Sequence, residues 1–97
     1  MTIKLINFRA DWCGPCESQD LIIDKVAEDW KDDENFKIET VDIEDQQELK
    51  KEYDVNTIPT VMLLLESESE PLDRFIGITD KSQINEAISN KMKNTEN

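Results

Sequence analysis

The sequence predicts one α/β domain, with a mixed four-stranded sheet, helices on both faces and the element order β-α-β-α-β-β-α. The chain has 97 residues, enough for one core and too few for two. Short apolar runs alternate with segments of helical periodicity in its first part, which favours parallel pairing. Two such runs then follow each other directly, as in an antiparallel hairpin. We therefore treat residues 1–97 as a single domain with a polar tail from about Lys93.

The first half of the chain is typical of a strand, a helix and a second strand. Residues 3–8 form a short apolar run. From Pro15 to about Trp30, apolar residues recur every three or four positions, which indicates one buried helical face. A loop over residues 31–35 and a strand over residues 36–43 follow. We expect the helix to bury Leu21, Ile22, Val26 and Trp30, opposite Glu17, Asp20, Asp24 and Glu28.

The second half begins with a short predicted helix over residues 45–53. An apolar strand over residues 60–65 follows, and a charged turn separates it from a second β-like run over residues 72–78. Asp80, with Gln83 three residues later, has the pattern of a helix N-cap. The final helix is expected to bury Ile84 and Ile88.

Charge and apolar content narrow the classes of partner. Eleven basic against 23 acidic residues give a net charge of -12, which repels phosphate backbones and anionic lipid surfaces. The longest apolar run, over residues 61–65, is far too short to span a bilayer. The first residues lack a secretory signal pattern. We expect an acidic, monomeric, cytoplasmic protein that binds neither nucleic acid nor membrane.

The chemistry of the chain is concentrated in Trp12-Cys13-Gly14-Pro15-Cys16, where the first strand gives way to the first helix. Unsatisfied backbone N–H groups and the helix dipole at that end stabilise a thiolate on Cys13. Cys16 follows one helical turn later and is close enough to resolve a mixed disulfide. Pro15 stiffens the turn and suits the first turn of a helix. The pattern favours thiol redox chemistry.

Two other interpretations of the cysteine pair are half of a zinc site and a pair of small core residues. Zinc usually takes four Cys or His ligands, and the chain has two cysteines and no histidine, which disfavours a metal. A core role suits Cys16 better than Cys13, which Trp12 and Gly14 are expected to place on an exposed loop. Redox chemistry is therefore preferred.

At this point the chain resembles the thioredoxin family. Residues 8–16 read F-R-A-D-W-C-G-P-C and resemble the family's F-x-A-x-W-C-G-P-C segment, and residues 58–60 resemble its cis-proline loop. Ile76-Gly77 is similar to its late substrate-groove glycine, and the element order agrees over residues 3–92. The chain looks like a thioredoxin that is short at its N-terminus.

The resemblance implies a thiol–disulfide oxidoreductase with a redox-active Cys13–Cys16 pair. Cys13 would attack a disulfide in a partner protein, and Cys16 would release the reduced product. Gly14 and Pro15 between the cysteines are similar to those of reductants. No bound cofactor is expected, and electron transport would begin at a flavoprotein similar to thioredoxin reductase. Partners would be disulfide-containing proteins and that reductase.

The resemblance also implies a docking groove. Pro59, if cis, would place the backbone of Thr57 or Ile58 against the site, where an extended substrate segment could pair with it. Trp12 and Gly77 would border the groove. Taken singly, these residues also fit a trans proline starting an edge strand, a half-buried aromatic and a strand bulge.

The chain departs from the family at two places. Asn7 stands where the family usually has a buried Asp that helps proton transfer at the second thiol, and Thr40 aligns with its usual Lys partner. We expect slower deprotonation of Cys16 unless water or another carboxylate substitutes.

The second departure is Glu17, which follows Cys16 where the family often has a basic residue. With Asp11 and Asp20 it predicts an acidic rim, which opposes a thiolate on Cys13 and steers towards basic partners. The alternative is that these charges only keep the protein in solution.

Three functions remain after these steps. A small protein-disulfide reductase is favoured, and a disulfide oxidase or isomerase differs from it mainly in redox potential. An interaction or assembly subunit of the same fold would not need its cysteines. Replacing both cysteines by serine distinguishes the enzymes from the subunit.

Overall fold

The computed structural model describes residues 2–68 and 70–95. Within that part of the chain, seven elements follow one another in the predicted order. They are β1 (Ile3–Arg9), α1 (Gly14–Asp29), β2 (Phe36–Asp42), α2 (Gln47–Glu52), β3 (Thr60–Leu65), β4 (Asp73–Ile76) and α3 (Lys81–Thr95).

The sheet has four strands in the order β2-β1-β3-β4. β1 pairs with β2 in parallel and with β3 in antiparallel orientation, and β3 and β4 form the antiparallel hairpin. The predicted mixed sheet is confirmed. In the parallel register Asn7 lies beside Thr40, the two positions at which the resemblance noted above implies a joint departure from the usual residues.

Alternation along β1 sends side chains to two separate layers of the core. Ile3 and Leu5 pack on one face with residues of α1 and α3, and Ile6 and Phe8 pack on the other. The second face is covered by α2 and the segment after it. Because the period of a strand is two, Asn7 and Arg9 share the face of Ile3 and Leu5, on which α1 lies.

The buried face of α1 differs from the predicted one. Leu21 is 66% exposed, whereas the buried residues are Cys16, Gln19, Ile23 and Val26. These four positions recur every three or four residues from Cys16, so they form a single helical stripe. Leu21 lies off this stripe. The prediction for Leu21 is wrong because it counted only apolar residues, and the stripe includes a polar one.

Several element ends also differ from the sequence-based bounds. α2 begins at Gln47 because the backbone first turns at Asp42, whose carbonyl accepts the N–H groups of Asp45 and Gln46. β4 ends at Ile76, directly before Gly77, whose φ is +87°. α3 continues past Lys93 to Thr95, since nothing in its last turn breaks the helix. The rest of the predicted polar tail, residues 96–97, lies outside the described residues.

Asp80 caps α3 as predicted, because its Oδ1 accepts the backbone N–H of Gln83 at 3.0 Å. The pKa of Asp80 is lowered, first by this backbone hydrogen bond and then by the Ser82 hydroxyl. Across residues 2–68 and 70–95, no helix is both long enough and apolar enough to cross a bilayer.

Candidate active site

The two cysteines lie at the start of α1 and are joined as a disulfide, with their Cα atoms 5.3 Å apart. Cys13 is the N-cap residue in an extended conformation, and Pro15 lies in the first turn. The Cys13 Sγ atom accepts the backbone N–H of Cys16 at 3.2 Å. The same N–H also donates to the Cys13 carbonyl at 3.2 Å, so the sulfur shares a backbone donor in the first turn of the helix, and this donor favours negative charge on the sulfur.

Cys13 is more buried than the sequence predicts. Cys13 is 6% exposed and Cys16 is fully buried, although the neighbouring Trp12 is 67% exposed. Ala10 and the partly buried Ile43 and Ile58 pack around the pair. The expectation of an exposed loop fails for Cys13 because distant chain segments cover it. Its remaining exposed surface still makes it the cysteine that a partner meets first.

The loop before β3 lies against Cys13. The Ile58–Pro59 peptide bond is cis, and the Ile58 carbonyl oxygen lies 3.9 Å from Cys13 Sγ. Thr57 is exposed, and its carbonyl accepts the Thr60 hydroxyl. Of the two backbone positions considered from the sequence, Ile58 is therefore the one beside the sulfur.

Gly77 joins this group through the backbone, since its N–H donates to the Pro59 carbonyl at 2.9 Å. Its φ of +87° suits glycine, whereas a Cβ at this position would meet no atom within 4 Å. Conformation and not space therefore requires glycine here. At Gly14, too, an added Cβ would meet no atom within 4 Å, so the surface beside the cysteines is open at that position.

Trp12, the other predicted groove residue, turns its indole towards Glu44, whose Oε1 accepts the Nε1–H hydrogen bond. The Trp12 ring lines a surface pocket together with Ile43, Val55 and two lysines of α2, Lys50 and Lys51. Trp12, next to Cys13 in the chain, therefore lies on the side of α2, and Gly77 lies beside Pro59.

Gln19 is a site residue that the sequence interpretation missed. Its side chain is fully buried on α1 and pairs with the backbone of Thr79 in both directions. Gln19 Nε2 donates to the Thr79 carbonyl at 3.0 Å, and the Thr79 N–H donates to Gln19 Oε1 at 2.7 Å. The Thr79 hydroxyl in turn donates to the Gly77 carbonyl at 3.1 Å. The available signal was a polar residue three positions after Cys16, on the stripe that a 3.6-residue period buries.

Asn7 is buried in β1, 2% exposed, and its Nδ2 donates to Asp20 Oδ1 at 2.9 Å. The other oxygen of Asp20 accepts Arg9 Nε at 2.9 Å. Arg9 also contacts Asp11 at 2.9 Å and Asp42 at 3.6 Å. The pKa of Arg9 is raised, chiefly by its hydrogen bond to Asp11; burial opposes this rise, and the hydrogen bond and charge of Asp20 add to it. A carboxylate therefore lies beside Asn7, and it is supplied by Asp20 of α1.

This placement revises the predicted acidic rim. Glu17 and Asp11 are exposed, and Glu44 extends the acidic surface beside Trp12. Asp20, by contrast, is directed at β1 and partnered by Asn7 and Arg9. The described residues contain no group of three or more Cys, Asp or Glu side chains that would hold a metal ion.

These observations define a class of site. Two cysteine sulfurs that can form and break a disulfide bond lie at a helix N-terminus, and the Cys13 sulfur is the more accessible of the two. A backbone segment around a cis proline faces it. Such an arrangement is a thiol–disulfide exchange site on a mixed α/β sheet.

Comparison with known proteins gives the family. The model of the family described as Thioredoxin matches residues 1–90. The chain is 32% identical over 84 residues to the thioredoxin of Mycoplasmoides gallisepticum, covering 87% of this chain and 79% of that protein. It is 34% identical over 91 residues to the mitochondrial thioredoxin of Bos taurus, covering 94% of this chain and 52% of the bovine protein. The chain belongs to the thioredoxin family.

Solved structures agree with the fold. A thioredoxin of Fasciola hepatica superposes with a TM-score of 0.78 at 24% identity, covering 92% of this chain and 80% of that one. A point variant of the thioredoxin of Halobacterium salinarum gives a TM-score of 0.77 at 26% identity, with coverages of 91% and 73%. Thioredoxins are protein-disulfide reductases that need no bound cofactor and act on disulfide-containing substrates, and this chain is a thiol–disulfide oxidoreductase of that family.

Proposed function

We propose that the chain works in the reducing direction, as a protein-disulfide reductase with Cys13 as nucleophile and Cys16 as resolving thiol. The observation that carries this assignment is the difference between the two sulfurs at the start of α1. Cys13 accepts a backbone N–H and retains some exposure, while Cys16 is fully buried behind it. A thiolate on Cys13 is stabilised and reachable, which are the two requirements of an attacking thiol.

The exchange proceeds in two balanced steps. The Cys13 thiolate attacks one sulfur of the partner's disulfide, and that bond breaks to release the other sulfur as a thiolate, which takes a proton from solvent. Cys16 then loses its proton to solvent, which returns a proton to the departing partner thiolate, and the Cys16 thiolate attacks the Cys13 sulfur of the mixed disulfide. The Cys13–Cys16 bond forms, the second partner sulfur leaves, and two electrons have passed to the partner.

The groove supports binding of an extended substrate segment. Ile58 lies with its carbonyl 3.9 Å from Cys13 Sγ, so its backbone is the edge nearest the reacting sulfur. Two exposed apolar side chains belong to neighbouring segments: Trp12, next to Cys13 in the chain, is 67% exposed, and Ile76, which pairs with Thr60 in the sheet, is 65% exposed. An extended peptide can pair with the backbone while apolar side chains contact both flanks.

We further propose that a flavoprotein reductase supplies the electrons through a dithiol. We also propose that the protein is a monomer and that it works in the reducing environment of the cytoplasm. A dithiol that donates electrons must be kept reduced, which a reducing compartment ensures. Exposed Asp11, Glu17 and Glu44 surround the cysteines, and this charge supports substrates with a basic surface next to the disulfide.

The assay is insulin reduction by dithiothreitol, with the protein at catalytic concentration. We expect acceleration by the wild type, none by Cys13→Ser, and trapping of a mixed disulfide by Cys16→Ser. Absence of acceleration by the folded wild type contradicts the reductase assignment. A variant with serine at both positions that retains a full biological role would instead support an assembly subunit.

Redox titration separates reductase from oxidase. Equilibration of the Cys13–Cys16 pair against dithiothreitol or glutathione buffers should give a potential near that of reducing dithiol proteins, about -270 mV. A value near about -120 mV would assign an oxidase. Raising ionic strength should slow the reduction of a basic substrate more than that of an acidic one, and equal slowing would remove the electrostatic argument.

A further inference from the structure

The outer strand β2 leaves one edge of the sheet open. The strand order is β2-β1-β3-β4, and among the described segments β2 pairs with β1 alone. Proteins protect such edges with short strands, bulges, proline or charged side chains, because an unpaired edge is a template for another chain. β2 has seven residues, none of them proline, and its register with β1 is unbroken. Three of these four protections are therefore absent from this strand.

The two charged side chains in the middle of β2 are engaged elsewhere. Lys37 forms an ion pair with Glu66, which directly follows β3, and Glu39 forms one with Lys4 of β1. Because β1 lies between β2 and β3, both ion pairs run inwards across the sheet. The charges of Lys37 and Glu39 are drawn away from the open edge, which weakens the fourth protection as well.

The backbone of β2 directs alternate residues to the open side. Ile3 donates its N–H to the Asn35 carbonyl at 2.7 Å, and Ile43 donates its N–H to the Arg9 carbonyl at 2.9 Å. Odd-numbered residues of β2 therefore bond to β1, and even-numbered ones face away from it, since the bonding direction alternates along a strand. The residues that face away are Phe36, Ile38, Thr40 and Asp42.

Two of these residues have both outward backbone groups without a partner in the described chain. At the strand ends, the Phe36 N–H and the Asp42 carbonyl bond to the adjoining turns. Between them, no hydrogen bond from another described segment reaches the outward N–H and C=O groups of Ile38 and Thr40. An extended segment laid along this edge would satisfy these four groups and continue the sheet.

The middle of the edge is apolar on the side of α1. Ile38 is half-buried there in one cluster with Ile22 and Trp30. Side chains of an added strand alternate between the two faces of the sheet, so apolar residues at every second position would extend this cluster.

The two ends of the edge determine the charge of the segment that fits. Acidic side chains are concentrated in the adjoining loops, at Asp32, Asp33 and Glu34 before β2 and at Glu44 and Asp45 after it. Lys31, the basic residue of the first loop, is paired with Glu28. The lysines that follow the second loop, Lys50 and Lys51, belong to α2 and line the pocket beside Trp12. Basic side chains at both ends of a bound segment therefore meet complementary charge, whereas a second copy of this chain would bring two net charges of -12 together.

We propose that the open edge of β2 binds an extended segment of a partner protein, with apolar side chains at alternate positions and lysine or arginine at both ends. The segment adds a strand to the sheet through the backbone of Ile38 and Thr40. This site lies on the other side of β1 from β3 and the cis-proline loop before it. The proposal does not depend on the redox activity of the cysteines.

The probe is the synthetic peptide KKVTITVKK, capped at both ends, and the readout is NMR of the 15N-labelled oxidised protein. We expect binding with a Kd below about 1 mM. At ten times that Kd, the Ile38 and Thr40 amides should exchange with water about elevenfold more slowly, on a timescale at which the odd-numbered amides of β2 do not exchange. A Kd above about 1 mM overturns the proposal, and so does slowing confined to the groove around Ile58 and Gly77.

Thr40→Pro and its control Thr40→Val test the edge itself. Proline removes an outward N–H and places its ring on the open side, but it removes no hydrogen bond to β1. Thr40→Pro should weaken peptide binding at least about tenfold, whereas Thr40→Val keeps the N–H and should bind within about twofold of wild type. If Thr40→Pro does not fold, the peptide KKVPPTVKK carries the block instead and should bind wild type at least about tenfold more weakly than the probe. Unchanged binding in the blocked pair overturns the proposal.

The peptide EEVTITVEE carries the opposite charge on the same core and should bind at least about tenfold more weakly than the probe. Equal binding of the two peptides overturns the proposal, because charge is what selects the partner. Sedimentation of the protein alone tests the other occupant, and a dimer that Thr40→Pro dissociates would place a second copy on this edge and overturn the proposal too. Insulin reduction is not among the readouts, so its failure would remove the proposed function and leave this result unaffected.

Discussion

Replacing Gln19 with alanine removes the side chain that pairs with the backbone of Thr79. Both groups are buried, with Gln19 at 0% and Thr79 at 6% exposure, and the two hydrogen bonds measure 3.0 and 2.7 Å. Gln19→Ala leaves a backbone N–H and a backbone C=O without partners, at about 1–3 kcal/mol each. We expect the free energy of unfolding to fall by about 2–6 kcal/mol. Such a loss is a large part of the stability of a small domain.

Urea denaturation followed by circular dichroism measures this loss. With a slope of about 1 kcal/mol per molar urea, the midpoint should fall by about 2 M or more. Gln83→Ala is the control, because Gln83 is an exposed glutamine at the start of α3. It should change the stability by no more than about 0.5 kcal/mol. A loss below about 1 kcal/mol in Gln19→Ala would refute the argument.

Gln19→Glu tests the same pair of bonds through pH. A carboxylate accepts the Thr79 N–H but cannot donate to the Thr79 carbonyl unless it is protonated. Burial and the facing carbonyl raise the folded-state pKa of the introduced carboxyl above its unfolded value of about 4.3. The extra stability of the protonated form is therefore fully present below about pH 4 and is lost as pH rises through the folded pKa. A difference from wild type that does not depend on pH would contradict this.

Three further predictions concern positions away from the cysteines. Asp80→Ala should lower the melting temperature at pH 7. Because the folded-state pKa of Asp80 lies below its ordinary 3.8, the difference in melting temperature from wild type should shrink as pH falls below about 4. A difference that stays constant with pH would argue against the N-cap. Arg74 donates a hydrogen bond to the Tyr53 carbonyl at 2.6 Å, at the end of α2. Arg74→Ala should therefore lower the free energy of unfolding in urea by about 1 kcal/mol, and an unchanged midpoint would show that this hydrogen bond does not stabilise the fold. Leu21→Gln should leave stability within about 0.5 kcal/mol because Leu21 is exposed, whereas a loss of about 2 kcal/mol would place Leu21 in a core.

The element order could be predicted because it depends on periodicity that a single sequence displays. The two apolar runs over residues 60–65 and 72–78 follow each other without a helix between them, which allows only a short antiparallel connection. The cysteine site could be predicted because residues 12–16 are contiguous and the helix begins among them. The position of Asn7 beside Thr40 followed from the resemblance and agrees with the register of β1 and β2.

The remaining features depend on contacts between distant segments. Gln19 and Thr79 are 60 residues apart, and no pattern in the sequence pairs a buried amide with a particular backbone group. The burial of Cys13 depends on Ile43 and Ile58, which the fold brings in from two other loops. The phase of α1 was assigned from apolar residues alone, so the stripe through Gln19 was missed.

Gln19 and Asp20 are adjacent on α1, yet they contact opposite sides of the site. Gln19 binds Thr79, which is linked through Gly77 to Pro59, whereas Asp20 binds Asn7 and Arg9 on β1. Because the two are consecutive residues, their independence is tested with the double variant of Gln19→Ala and Asp20→Asn: an interaction energy below about 0.5 kcal/mol would show that the two sets of contacts act separately, and a larger one would show that they are coupled.

Their functional effects should separate as well. Gln19→Ala should raise KM for insulin by loosening the groove edge at Gly77, whereas Asp20→Asn, which changes contacts with β1 only, should leave KM unchanged. If Asp20→Asn raises KM as well, the turn after Cys16 responds as one unit. The geometry argues against that outcome, because each side chain binds a different strand or loop. The helix that carries both is continuous, so it can hold one contact in place when the other is lost.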